Sequence, residues 1–160
     1  MDLAKEILKD VALDEVAPKS SRPRGQADHW ASPVLLERGA YLRRMAAAGE
    51  GSASETLREY PRHAAMLAFR SRNGEAEIHE KFADVFCVLA GGATLVTGGT
   101  VAGARLTDPG EIRGSGIEGG IRQDLRTGDV VHVPAGTPHQ MLVSSEKTVT
   151  YLVIKVQESD

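Results

Sequence analysis

Carboxylate and imidazole side chains in residues 77–84 have the types and spacing of metal ligands. Glu77 and His79 stand two residues apart, so in a β-strand both side chains project from the same face. Asp84 follows on the next predicted strand. Carboxylate oxygens together with an imidazole nitrogen suit a divalent transition ion such as Mn, Fe, Zn, Ni or Co. By itself, this segment is weak evidence for a metal site.

A histidine that directly follows a rigid turn extends this set. Residues 128–139 predict a strand, a tight turn containing Pro134 and Gly136, and a further strand that begins at His139. A rigid turn fixes the direction from which the imidazole approaches, as a metal ligand requires. We expect His132, in the preceding strand, to be structural, and the remaining histidines outside these segments to lie on the surface.

Together, the two segments resemble the paired motifs that define the cupin superfamily. In the first motif, Glu77 and Asp84 stand where the family has a histidine and a glutamate, and the family's opening glycine has no counterpart. In the second motif, only the terminal asparagine differs, being replaced by Val143. The residues that stand at the spacing of the motifs are Glu77, His79, Asp84 and Gly91 in the first motif and Gly128, Pro134, Gly136 and His139 in the second. The resemblance covers residues 73–156, about half of the chain.

The resemblance implies an all-β, single-domain cupin-type antiparallel β-barrel, a double-sheet jelly roll, with an ion in its mouth. Glu77, His79, Asp84 and His139 would hold this ion. Two histidines and two carboxylates are a harder donor set than the family's usual three histidines and are better suited to Mn or Fe. A cation would also relieve two carboxylates that otherwise project unpaired into an apolar barrel. The alternative is a barrel that has lost its metal and keeps the fold for binding or packing.

The pattern of short apolar runs separated by Gly, Pro, Asn or Asp independently predicts an all-β sandwich or barrel with antiparallel pairing. Inward positions on these strands are expected to form the pocket walls, with Phe86 and Met141 as the pocket residues and Val88 as plain core. The predicted strands are residues 64–71, 76–79, 85–89, 93–97, 130–133, 140–143 and 149–156.

The first part of the chain predicts a helical extension. Residues 3–16 have the spacing of one amphipathic helix face, residues 18–25 read as a connector, and residues 33–48 predict a helix that Gly49 ends. We therefore divide the chain into an extension with the first strand, residues 1–70, packed on a barrel formed by residues 71–160. Within the barrel, the glycine-rich residues 98–128 are predicted to be a long loop that could cover a pocket.

Composition limits the class of protein and its partners. A chain of 160 residues is the usual size of one domain, and a single cysteine excludes an intrachain disulfide. The net charge of -3 with scattered basic residues argues against nucleic acid as a partner, and no apolar run is long enough to span a bilayer. We expect a soluble protein, in the cytoplasm or, if a signal has been removed, exported.

The functional hypothesis is a small metal-binding cupin whose ion stays open to an oxygen-bearing organic ligand or dioxygen, as in a dioxygenase, isomerase or hydrolase. No catalytic base is identifiable. The alternative is a non-enzymatic barrel that binds or stores a small molecule. A third possibility is a dimerisation module, because the predicted strand face formed by Val85, Cys87 and Leu89 needs a covering layer and cupins often form homodimers through such faces.

Overall fold

One helix precedes the strands in the computed structural model, which describes residues 25–159. Helix α1 covers Ser32–Ala48, with a proline in its first turn and Gly49 at its C-terminal cap. The predicted helix over residues 33–48 is therefore confirmed. The predicted helix at 3–16 and most of the connector lie outside the described residues. Within the described part of the chain, no helix combines the length and apolarity needed to cross a membrane.

Two antiparallel sheets share one long strand. The strands are β1 Ser52–Glu59, β2 His63–Arg70, β3 Ala76–His79, β4 Phe82–Thr97, β5 Thr100–Ala102, β6 Arg105–Asp108, β7 Glu111–Gly114, β8 Gly116–Glu118, β9 Ile121–Arg126, β10 Val130–Val133, β11 His139–Leu142 and β12 Val149–Gln157. Sheet 1 has the order β1-β2-β12-β4-β10, and sheet 2 has the order β9-β4-β11-β3-β7-β6. Strands β5 and β8 form a separate pair. The predicted all-β double-sheet architecture is confirmed.

Strand β4 passes from sheet 1 to sheet 2 at Gly91 and Gly92. Its first part pairs with β10 and β12, and its second part pairs with β9 and β11. Gly91 has a φ of 73°, and a Cβ there would collide with the carbonyl oxygen of Thr148. Only glycine therefore fits this crossing point. The sequence pattern had predicted two separate strands here, because the glycine pair interrupts the apolar run.

The main core lies between the two sheets, where inward-facing side chains of β2, β4, β9, β10, β11 and β12 meet. Phe86 and Met141 are each 6% exposed, and Val88 is also buried, so these predicted inward positions do face the interior. A second core forms where α1 covers the outer face of sheet 1, with Leu42, Leu67 and Leu89 among its residues.

The outer face of β4 is only partly covered by α1. Leu89 packs into the second core, whereas Val85 and Cys87 are half-buried and Val130, the register partner of Cys87, is exposed. Dimerisation through this face stays a prediction.

Two local predictions are wrong. The predicted first strand, at residues 64–71, is the second, because residues 52–59 form β1, an edge strand in which only Leu57 is buried and whose sequence has no apolar alternation. The segment 98–128 was predicted to be a loop, but it carries β5 to β9. These strands are short and mostly exposed, and positive-φ glycines such as Gly103 and Gly110 form the turns between them.

Candidate metal centre

Strands β3, β4 and β11 place Glu77, His79, Asp84 and His139 at one end of the barrel interior. Glu77 and His139 are register partners across β3 and β11. The turn before His139 is fixed against β3, since the backbone N–H of Gly136 donates to the carbonyl oxygen of His79 at 2.8 Å. The fixed turn explains locally why the imidazole of His139 meets the β3 side chains.

Four predicted ligand side chains converge here. One ligand atom each from Glu77, His79 and His139 lies within 4.8 Å of the other two. Asp84 Oδ2 lies 3.3 Å from Nε2 of His79 and 3.4 Å from Nε2 of His139, and Glu77 Oε2 lies 3.5 Å from both nitrogens. The side chains of His79, His139 and Asp84 are buried, whereas that of Glu77 keeps 26% of its exposure. The cluster therefore opens to solvent on the Glu77 side.

The two imidazole rings have the same arrangement of engaged and free nitrogens. His79 Nδ1 lies 2.6 Å from the Glu111 carboxylate, and His139 Nδ1 lies 3.0 Å from the carbonyl oxygen of Thr137. Both neighbours can only accept, so each Nδ1 carries the proton. In the neutral rings, the lone pair is therefore on Nε2. Among the described residues, both Nε2 atoms are buried and have no hydrogen-bond partner.

The expectation that Glu77 and Asp84 lack cationic partners is wrong. Lys155 Nζ lies 2.9 Å from Asp84 Oδ1, and Arg113 Nε lies 3.5 Å from Glu77 Oε1. Both cations come from neighbouring strands, directly opposite the carboxylate that they contact. The carboxylates are therefore compensated without an ion, and the argument for a metal depends on the convergence of the two Nε2 atoms on the same two carboxylates.

The ionisation states of the four side chains depend on one another. Burial alone lowers the pKa of His79, but the Asp84 and Glu77 carboxylates outweigh it and raise this pKa to about 9. Burial also lowers the pKa of His139, and the same two carboxylates outweigh it, so this pKa is raised. Burial would raise the pKa values of Glu77 and Asp84, yet the imidazoles with Arg113 and Lys155 hold both far below the usual range. Without an ion, the cluster is a set of ion pairs that holds protons at neutral pH.

Sequence reasoning missed Glu111, Arg113 and Lys155. Glu111 and Arg113 lie on β7, within the segment predicted to be a loop, and Arg113 Nη1 lies 3.1 Å from the Glu111 carboxylate. Lys155 could have been found from the sequence, because it has the same strand parity as Tyr151 and Val153, which face the core on β12. A lysine in such a row indicates a buried acidic partner.

Of the other residues singled out in the sequence, Phe86 and Met141 are buried and His132 is exposed. The Phe86 ring lies 6.1 Å from the His139 ring and 5.7 Å from the Tyr151 ring, and Met141 is buried in the same core. Whether Phe86 and Met141 contact a ligand stays a prediction. His132 is not a core residue, since its side chain is 57% exposed on β10.

Comparison with solved structures identifies the fold, whereas comparison of sequences does not. No protein-family model and no curated protein matches the sequence. The solved structure of KdgF from Halomonas sp. matches with a TM-score of 0.51 at 17% identity, over 70% of this chain and 85% of that chain. TT1209 from Thermus thermophilus matches with a TM-score of 0.54 at 18% identity, over 76% of this chain and 93% of that chain.

A third solved structure is an uncharacterized conserved protein with a double-stranded β-helix domain from Klebsiella pneumoniae. It matches with a TM-score of 0.50 at 14% identity, over 67% of this chain and 77% of that chain. At such identities the likeness shows the fold. The chain has the double-stranded β-helix fold, which is the fold that the motif resemblance implied.

Proposed function

We propose that this protein is a small metal-binding cupin in which Glu77, His79, Asp84 and His139 hold a divalent transition ion. The observation that carries this proposal is the pair of buried Nε2 atoms on His79 and His139, which face the same two carboxylates without a hydrogen-bond partner. Two imidazole nitrogens and two carboxylates that converge in this way can exchange the protons of the imidazoles for a divalent cation bound by all four side chains.

The donor set fits such an ion. Two imidazole nitrogens and two carboxylate oxygens suit Mn or Fe, with Zn, Ni and Co as further candidates. The hydrogen bonds that Nδ1–H of His79 and His139 donates to the Glu111 carboxylate and the Thr137 carbonyl oxygen fix the tautomer in which Nε2 carries no proton, which is how ligand histidines are commonly oriented. When bound, the ion would supply a Lewis acid that polarises an oxygen of a small organic ligand.

The surrounding side chains support a reactive centre that is reached from one side. Glu77, Glu111 and Arg113 retain 23–26% side-chain exposure, whereas His79, His139 and the Phe86 ring beside His139 are buried. A small oxygen-bearing ligand would therefore approach along β3 and β7, past the Arg113 guanidinium. We infer an enzyme of the dioxygenase, isomerase or hydrolase type, with Arg113 able to orient an anionic substrate group.

A second candidate is a non-enzymatic barrel that binds a small molecule. It is favoured by the ion pairs Lys155–Asp84 and Arg113–Glu77, which compensate both carboxylates without any ion. In that case, the same cluster of side chains would hold the ligand with the imidazoles protonated. The two candidates differ in the dependence of binding on metal.

The deciding experiment is elemental analysis of protein purified without added metal and then offered Mn, Fe, Zn, Ni and Co separately. The metal-binding proposal expects about one ion per chain. The His79→Gln and His139→Gln double variant should lose the ion, whereas a His63→Gln and His132→Gln variant should keep it. Circular dichroism checks that each variant is folded. A wild-type chain that retains none of the five ions would overturn the proposal in favour of the metal-free barrel.

A further inference from the structure

A groove of about 1000 Å³ lies on the molecule away from the metal cluster. It is formed by the β2–β3 and β11–β12 loops, the crossing point of β4, and β9. None of the four predicted metal ligands lines it. Its volume is that of a pocket for a small organic ligand.

The strand registers place this groove at the opposite end of both sheets. In sheet 1, Asp84 pairs with Lys155 at the metal end, and Gly91 pairs with Val149 at the groove end. In sheet 2, Thr97 pairs with His139 at the metal end, and Gly92 pairs with Arg126 at the groove end. The two sites are therefore separated by the length of the barrel core.

The lining of the groove is strongly cationic. It includes Arg72, Arg122, Arg126 and Lys147, and Asp124 is the acidic residue among the lining residues. Between residues 25 and 159, no acidic side chain forms an ion pair with any of these four cations. Asp124 is engaged by the Thr94 hydroxyl, which donates to its carboxylate at 2.7 Å.

This concentration of positive charge contrasts with the chain as a whole, whose net charge is -3. Arg122 and Arg126 share the outer face of β9, since Leu125, with the opposite parity, is buried in the core. Arg72 and Lys147 reach the groove from loops on other strands. These four positive charges come from three elements, and Asp124, between the two arginines on β9, offsets only one of them. The remaining like charges repel one another unless an anion compensates them, and they focus a positive potential in the concavity.

The groove also offers neutral hydrogen-bond donors. Asn73, Ser144, Ser145 and Thr148 line it, and the small residues Gly91, Gly92 and Ala93 line it where β4 crosses between the sheets. Guanidinium groups with hydroxyl donors are the usual partners of phosphate and carboxylate groups.

We propose that this groove binds a small organic polyanion carrying at least two phosphate or carboxylate groups. The site is independent of the metal cluster and shares no side chain with it. The concave shape and the small number of cations match a compact ligand and not an extended duplex, which needs a longer basic surface.

The test is isothermal titration calorimetry of the full chain with pyrophosphate and, separately, citrate at low ionic strength. We expect one site per chain for at least one probe, with a dissociation constant of about 1 mM or tighter. Binding of pyrophosphate alone identifies a phosphate ligand, and binding of citrate alone identifies a carboxylate ligand. Either result supports the proposal.

Matched variants locate the site. Arg122→Gln with Arg126→Gln should weaken binding about tenfold or more, because two charge-assisted contacts are lost. Arg43→Gln with Arg44→Gln removes the same charge from exposed positions of α1 and should weaken it less than about twofold. The His79→Gln and His139→Gln variant should bind the probe as the wild type does.

Three results would overturn the proposal. They are no binding of either probe at about 10 mM, equal losses in the two arginine variants, and loss of binding in the histidine variant, which would place the anion at the metal cluster. A single-stranded DNA oligomer that binds more tightly than both probes through Arg122 and Arg126 would replace the proposal with a nucleic-acid surface.

Discussion

His79 and His139 face each other inside the barrel with ring centroids 5.2 Å apart, and Nε2 of each ring lies 3.3–3.5 Å from the same two carboxylates. The two rings come from β3 and β11, which are neighbours in sheet 2. Their outer nitrogens are held by Glu111 and by the carbonyl of Thr137, so their inner nitrogens have a fixed direction.

Replacing Glu111 by Gln should weaken metal affinity about 10- to 100-fold, because the hydrogen bond that orients His79 loses its charge. The measurement is a competition titration against a chelator of known affinity. Glu118→Gln, an exposed position on β8, is the control and should bind as the wild type does. Equal affinities in the two variants would show that Glu111 does not position His79.

Replacing Lys155 by Met should destabilise the metal-free protein by about 1–3 kcal/mol, because the buried Asp84 oxygen that faces the lysine loses its partner and the carboxylate keeps only the two imidazoles. Addition of the ion should restore part of this loss, since a divalent cation then compensates Asp84. Urea unfolding with and without metal measures both effects. The control, Lys81→Met, changes an exposed lysine and should alter the free energy of unfolding by less than about 0.5 kcal/mol.

The stability of the metal-free protein should fall as the pH rises from about 7 to 10. The folded pKa of His79, about 9, is above its ordinary value, so its stabilising contribution is complete below the ordinary pKa and is lost as the pH passes through about 9. The depressed pKa values of Glu77 and Asp84 give the opposite limb, with stability lost on acidification. Urea unfolding midpoints at several pH values test this, and His79→Gln should flatten the alkaline limb. An unchanged alkaline limb in this variant would contradict the assignment.

Metal binding at pH 7 should release about one to two protons per ion, because the ion displaces protons from His79 and His139. Calorimetry in two buffers of different ionisation enthalpy measures this number. Proton release should diminish towards pH 10, where the imidazoles are already neutral. Release that is independent of pH would mean that the protons come from groups other than these histidines.

Replacing Gly91 by Ala should destabilise the fold by about 3 kcal/mol or more, because a Cβ collides with the Thr148 carbonyl at a residue with positive φ. Gly98→Ala is the matched control, since Gly98 has nearly the same φ and open space around it, and it should cost about 1 kcal/mol. Thermal unfolding of both variants separates the collision from the cost of the backbone angle. Similar losses would show that β4 does not depend on close approach at Gly91.

Much of the fold could be predicted because the relevant signals are local. The two-residue period of a strand identified β3 and β10 with their observed bounds, and the Pro/Gly turn placed His139 at the start of β11. Strand β1 and the strands within 98–128 escaped prediction because they are exposed, so their sequences carry no alternation of apolar residues.

The sequence by itself determined which side chains are available for a metal site and the period that puts Glu77 and His79 on one strand face. The tertiary structure decided what stands opposite them. Glu111, Arg113 and Lys155 contact the cluster as cross-strand partners of His79, Glu77 and Asp84. Strand pairing joins residues that are far apart in the chain, so local spacing carries no information about which charge will face which ligand.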